Sequence, residues 1–145
     1  MADFKYFTFK ELIASNVTAK RKIDNIPSWT AVAHLQELTE KILEPLRAAW
    51  GSSIIVNSGY RCDALNKAVG GVSTSAHRLG YAADLFPGNG KIDEFGKFAR
   101  DWLVKNNVKF DQIIFEVKNK QRWVHVSLRS STGSQRCETK NLVVK

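Results

Sequence analysis

The chain has 145 residues, of which 43% are hydrophobic and 25% charged, as in a soluble globular domain and unlike a disordered chain. Its 22 Lys and Arg against 14 Asp and Glu give a formal charge of +8. That surplus favours nucleic acid, an anionic membrane surface or an anionic wall polymer as partner, or simply serves solubility. No apolar run approaches the ~20 residues that cross a bilayer, and residues 1–9 lack the apolar segment of a secretory signal. We expect one domain, residues 1–145, made in a cytoplasm without a membrane anchor.

The first half of the chain contains the clearest helix. A polar lead-in (1–27) carries apolar residues that can pack onto the core, and Ser28 then serves as N-cap of a helix that Gly51 stops. Pro45 lies inside the helical pattern and predicts a kink or an early end. The following segments are a strand at 54–56, a short helix at 63–69 and a Ser/Thr-rich loop at 72–80.

The second half predicts a β-hairpin. Two alternating segments, 113–117 and 123–128, flank the turn residues 118–121. Helices segregated from such strands give an α+β fold, which we expect to be an antiparallel sheet with a central hairpin packed against helices. The remaining predicted elements are a strand at 81–86, an amphipathic helix at 92–103 and an edge strand at 142–144.

Three residues have the chemistry of a metal site. His77 precedes Asp84 by seven positions, and Gly80 between them lets the loop fold back toward the strand. Strand alternation puts His125 on the face opposite its apolar neighbours. Two imidazoles and a carboxylate are typical of hydrolytic zinc, with the fourth position left for water. From spacing alone, a chance pair and a structural histidine remain the alternatives.

The other metal-ligand residue types have simpler interpretations. His34 lies in the long helix and is expected to be packed or solvated. Cys62 and Cys137 are too few and too far apart for a disulfide framework or a cysteine zinc site. Two free thiols are the default, with a single bridge as the alternative.

Residues 75–84 read Ser-Ala-His-Arg-Leu-Gly-Tyr-Ala-Ala-Asp and match Ser-x-His-x-x-Gly-x-Ala-x-Asp at every fixed position. This pattern resembles the signature of the M15 zinc peptidases, which include D-Ala-D-Ala carboxypeptidases and phage endolysins. The similarity covers about residues 7–128 and is strongest to a short branch common in bacteriophages and prophages. The other segments that resemble the family are 58–61, 65–71, 110–116 and 123–127.

The resemblance implies a Zn²⁺ ion held by His77, Asp84 and His125. It also implies a fold like that of the hedgehog and D-Ala-D-Ala peptidases, with the zinc site carried by the central hairpin. Arg61 corresponds to an arginine that binds substrate or stabilises developing negative charge, with a surface salt bridge as the alternative. The substrate-binding residues are predicted to be Arg61, Ser75 and Gln112.

The general base is predicted to be Glu116, on the first hairpin strand. Several relatives carry a catalytic acid three residues before the last histidine, but that position is Arg122 here. Arginine cannot act as a base, because its pKa lies above 12. Asp111 is a weaker candidate, since it precedes the strand.

Two functions follow from these residues. The first is a zinc-dependent peptidase that hydrolyses a peptide bond in peptidoglycan stem peptides at the cell wall, as a monomeric phage or prophage lysin. The second is a zinc-binding but catalytically impaired wall-binding or virion module, which Arg122 favours. A nucleic-acid-binding module is disfavoured, because the basic residues are dispersed and match no binding motif.

Overall fold

The computed structural model describes residues 1–144, without the side chain of Ala19, so the last position of the predicted domain lies outside the described residues. The helices are α1 (Phe9–Ile13), α2 (Asn16–Arg21), α3 (Trp29–Leu38), α4 (Glu44–Trp50), α5 (Asp63–Ala68) and α6 (Ile92–Lys105). The strands are β1 (Ile54–Ser58), β2 (Ala82–Pro87), β3 (Gln112–Lys118), β4 (Gln121–Ser127) and β5 (Glu138–Val143). No helix among residues 1–144 has the length and apolarity that a bilayer crossing requires. The single-domain boundary stays a prediction.

The lead-in contains two short helices that the sequence analysis did not predict. Thr8 and Glu11 form a capping box, in which each side chain binds the backbone N–H of the other residue. Leu12 is fully buried, and its carbonyl accepts a hydrogen bond from the N–H of Tyr60. A Cβ atom on Gly59 would lie 2.2 Å from that carbonyl oxygen, so glycine is required for this close approach. The lead-in therefore fixes the backbone just after β1.

The predicted long helix is confirmed, with a break before Pro45. A π-helical segment, Thr39–Leu43, separates α3 from α4, and Pro45 lies in the first turn of α4. Proline has no N–H to donate to the preceding turn, and its ring displaces the carbonyl four residues earlier, so the helix widens there. Gly51 ends α4 with a φ of +75°.

The sheet has the order β1-β2-β4-β3-β5. The first three pairings along this order are antiparallel, but β5 pairs with β3 in parallel. The prediction of an antiparallel sheet is therefore wrong at this edge. The chain leaves β4 and crosses back to the start of β3, so β5 runs in the same direction as β3.

The β3–β4 hairpin is confirmed. Asn119 and Lys120 form its two-residue turn with φ values of +49° and +68°, as a type I′ turn requires. Register places Ile114 and Asp84 on either side of His125, and Glu116 opposite Trp123. The opposite face of the sheet packs against the helices, through the buried residues Ala83, Leu85, Ile113, Val124 and Val126.

Candidate metal centre

The three predicted metal ligands meet at one point. His77 lies in a 3-10 helix, Ala76–Leu79, whereas Asp84 lies on β2 and His125 on β4. Oδ1 of Asp84 lies 3.2 Å from Nε2 of His77 and 3.1 Å from Nδ1 of His125. The candidate ligand atoms all lie within 4.8 Å of one another. The hairpin supplies one of the three candidate ligands, His125, so the expectation of a zinc site carried by the central hairpin is not confirmed.

The second ring nitrogen of His77 identifies its tautomer. Nδ1 lies 2.7 Å from the carbonyl oxygen of Gly59, which can only accept, so Nδ1 carries the proton. Burial lowers the pKa of His77, although the charge of Asp84 opposes this, and the ring is therefore neutral near pH 7. Its bare Nε2 then faces a carboxylate oxygen. Two acceptors at this distance repel each other, and a cation between them would remove the repulsion.

The donor set fits zinc. Burial raises the pKa of Asp84, but attraction to a protonated His77 or His125 ring outweighs burial and holds that pKa well below its usual range, so a proton taken up here goes to a ring nitrogen and not to the carboxylate. The carboxylate is therefore ionised and able to bind a metal. Zinc–ligand bonds of about 2.0–2.1 Å in a tetrahedron separate ligand atoms by about 3.3 Å, close to the two observed distances.

A cleft of about 780 Å³ opens over this group. Its walls include the loop before His77 and the segment after β4. It also contains every residue that the sequence predicted for the site: Arg61, Ser75, His77, Asp84, Gln112, Glu116 and His125. Their common location agrees with the predicted site, but their individual roles stay predictions.

Three carboxylates of residues 1–144 line this cleft. Asp84 belongs to the metal group and Asp111 pairs with Arg136, whereas Glu116 does neither. Its Oε2 accepts a hydrogen bond of 2.5 Å from the indole Nε1 of Trp123. Burial raises the pKa of Glu116, and the negative charge of Asp84 adds to this rise. A carboxylate with a raised pKa is better suited to accept and return a proton near neutral pH.

Arg61 supplies positive charge to the cleft. Its Nη2 donates a 3.4 Å hydrogen bond to Oγ of Ser75, but its buried Nε has no partner within residues 1–144. Burial lowers the pKa of Arg61, and the charges of Asp84 and Glu116 oppose that change. A buried donor without a partner is costly, and a substrate oxygen would satisfy it. The surface salt bridge considered for Arg61 is absent from the described residues.

Ser75 and Gln112 are both held by the protein. Oγ of Ser75 accepts from the N–H of His77 and so caps the 3-10 helix. Nε2 of Gln112 donates a 2.8 Å hydrogen bond to Glu138 on β5.

Asp111, the weaker base candidate, has both carboxylate oxygens bound by Arg136 at 2.8 Å.

Arg122 lies three residues before His125 on β4, so its side chain points to the opposite face of the sheet. There it binds Asp93 at the start of α6. Arg122 therefore does not line the metal cleft.

The sequence analysis predicted a strand at 123–128 but assigned no role to Trp123. The hairpin register was the available signal, since it sets Trp123 opposite Glu116. The predicted edge strand at 142–144 did not indicate that Leu142 on β5 and Val144 just after it would line the cleft.

The 3-10 helix is also held from α3. Nδ1 of His34 lies 2.6 Å from the carbonyl oxygen of Leu79, and its ring stacks on Tyr81 with centroids 3.8 Å apart. Of the two expectations for His34, packed or solvated, the packed one is confirmed.

No curated protein matches the chain significantly. A family model described as Peptidase M15 matches residues 5–127, which includes all seven predicted site residues. The match spans well over half of the sequence. The chain therefore belongs to the peptidase M15 family.

Proposed function

We propose that this M15 peptidase is a zinc-dependent hydrolase that cleaves a peptide bond in bacterial peptidoglycan stem peptides. The observation that carries the proposal is the neutral Nε2 of His77 facing the carboxylate of Asp84, in a cleft that also contains Glu116. A metal ion between His77 and Asp84 would satisfy both of these groups, and Glu116 would be the proton acceptor that hydrolysis needs.

His77, Asp84 and His125 would hold the ion. A bound zinc ion supplies Lewis acidity, which lowers the pKa of a water molecule to about 7 and polarises a carbonyl group. Glu116 accepts the proton of the attacking water and returns it to the leaving amine.

Arg61 donates to the negative charge that develops on the carbonyl oxygen, or to a substrate carboxylate. Its unpartnered Nε supports this role, because the donor has no competing acceptor within residues 1–144. Ser75 orients the Arg61 guanidinium through its hydroxyl group. Gln112 shares the strand face of Glu116 and contributes its amide oxygen to substrate binding.

The partner in this proposal is a peptidoglycan peptide and the place of action is the cell wall. The formal charge of +8 supports attraction to an anionic wall. The resemblance to the phage and prophage branch supports a lysin that is made in the bacterial host and acts as a monomer.

The alternative of an impaired wall-binding or virion module depended on Arg122. That residue binds Asp93 outside the metal cleft, while Glu116 lies inside it. The arrangement therefore favours the enzyme over the binding module.

The experiment is digestion of purified peptidoglycan, with and without a chelator, followed by mass spectrometry of the products. New fragments that the chelator prevents would support the proposal, and their masses would identify the bond that is cut. Intact peptidoglycan in the presence of stoichiometric zinc would contradict it and favour the binding module.

A further inference from the structure

We propose that Trp123 is a positioning residue for Glu116. The inference rests on the proposed function, since it concerns the carboxylate to which we assign proton transfer. It adds a role for a side chain that is neither a metal ligand nor a group that reacts.

The hydrogen bond between these residues is the first observation. Nε1 of Trp123 donates to Oε2 of Glu116 at 2.5 Å, and within residues 1–144 no other group donates to this carboxylate. A hydrogen bond to a charged acceptor is among the stronger ones in proteins. It leaves Oε1 free, so one oxygen is anchored and the other can exchange a proton.

The hairpin register supplies the second observation. Glu116 and Trp123 are direct cross-strand partners on β3 and β4, and both line the cleft over the metal group. Trp123 also lies two residues before His125 on the same strand face. A rigid indole on this face therefore fixes the carboxylate relative to the metal ligands.

Without this donor, Glu116 would sample several rotamers of its flexible side chain. Catalytic groups must be held close to their productive geometry, and a small displacement reduces the rate of proton transfer. The expected defect lies in turnover rather than in substrate or metal binding. A side chain that served only packing would instead change stability or substrate affinity.

The test compares Trp123→Phe with Trp102→Phe, a half-buried tryptophan on α6 outside the cleft. We expect Trp123→Phe to lower kcat by about tenfold, the usual effect of losing a hydrogen bond to a charged group, with KM and zinc content unchanged. Trp102→Phe should keep the wild-type kcat. An unchanged kcat in Trp123→Phe, or loss of zinc, would overturn the inference.

A second measurement does not depend on activity. In a ¹H–¹⁵N NMR spectrum, Trp123→Phe identifies the indole resonance of this residue by its disappearance. Glu116→Gln should then shift that resonance more than those of the other tryptophans, and an unmoved resonance would overturn the contact. A wild-type protein that hydrolyses no peptidoglycan would instead overturn the proposed function, and the inference with it.

Discussion

Nε2 of His77 lies 3.2 Å from Oδ1 of Asp84, although the two residues belong to different elements. The connection is short because Gly80, with a φ of +82°, turns the chain from the 3-10 helix into β2. The N–H of Gly80 binds the carbonyl of His77 and stabilises this turn. The seven-residue spacing between His77 and Asp84 thus accommodates one tight turn and still brings both side chains to the same candidate metal centre.

Removal of a metal ligand is the first prediction. His77→Ala and Asp84→Asn should each weaken zinc binding by more than about a hundredfold. Removing a residue that only hydrogen-bonds to a metal ligand already lowers metal affinity by about 10–100-fold. Metal analysis of dialysed protein measures the effect. Asp101→Asn, which changes an exposed carboxylate on α6, is the control and should retain one zinc per chain. Stoichiometric zinc in both ligand variants would contradict the site.

The carboxylate of Glu116 gives the second prediction. Glu116→Gln should lower kcat by about 10²–10⁴-fold with zinc still bound, because general acid–base catalysis contributes about that much. Arg122→Met should leave kcat unchanged, since Arg122 faces α6. The double variant Glu116→Gln/Arg122→Glu should keep the low kcat of Glu116→Gln. Recovery of activity in the double variant would show that position 122, three residues before His125, can provide the base.

The turn at Gly80 gives the third prediction. A Cβ atom there would lie 2.4 Å from the carbonyl oxygen of Ala31, in addition to the strain of a positive φ. Gly90 has a similar φ of +77° but no atom within 4 Å of an added Cβ. Gly90→Ala should therefore cost about 1 kcal/mol of unfolding free energy. Gly80→Ala should cost clearly more and weaken zinc binding. Urea unfolding measures both variants. Equal losses of unfolding free energy in Gly80→Ala and Gly90→Ala would contradict the close packing of Gly80 against Ala31.

The pair of Asp111 and Arg136 gives the fourth prediction. The Asp111 side chain is 2% exposed, and Arg136→Met would leave its charge buried without a cation. We expect Arg136→Met to lower the free energy of unfolding by about 2 kcal/mol. This is less than the roughly 3–5 kcal/mol for breaking a fully buried pair, because the Arg136 side chain is 46% exposed. Arg100→Met, which removes an exposed pair with Asp101, should cost less than about 1 kcal/mol. Thermal or urea unfolding measures both, and similar losses would contradict the prediction.

The central parts of the fold could be predicted because their signals are local. Apolar residues at helical spacing predict the long helix, and Pro45 predicts its interruption. Alternation around Asn119 and Lys120 predicts the hairpin, and the same alternation puts His125 on the face away from the core. The signature in residues 75–84 then identifies the candidate ligands.

The rest depends on contacts between distant segments. Most of β5 is exposed and lacks an apolar alternation, so its parallel pairing with β3 left no pattern in the sequence. Gly59 connects the lead-in to His77 through its close approach to the carbonyl of Leu12 and the hydrogen bond that its own carbonyl accepts from Nδ1 of His77. Residues 58–61 resemble the family, but the residue pattern does not indicate these two contacts. The helix at Phe9–Ile13 differs, because the capping-box pattern of Thr8 and Glu11 was readable.

Zinc titration of metal-free protein, followed by release of peptidoglycan fragments, tests the central claim most directly. We expect no activity without metal, a linear rise with added zinc and a break at one equivalent per chain. Asp84→Asn should show no such break. Fragment release that persists in the metal-free protein, or that never appears at any zinc ratio, would contradict a zinc-dependent hydrolase at this site.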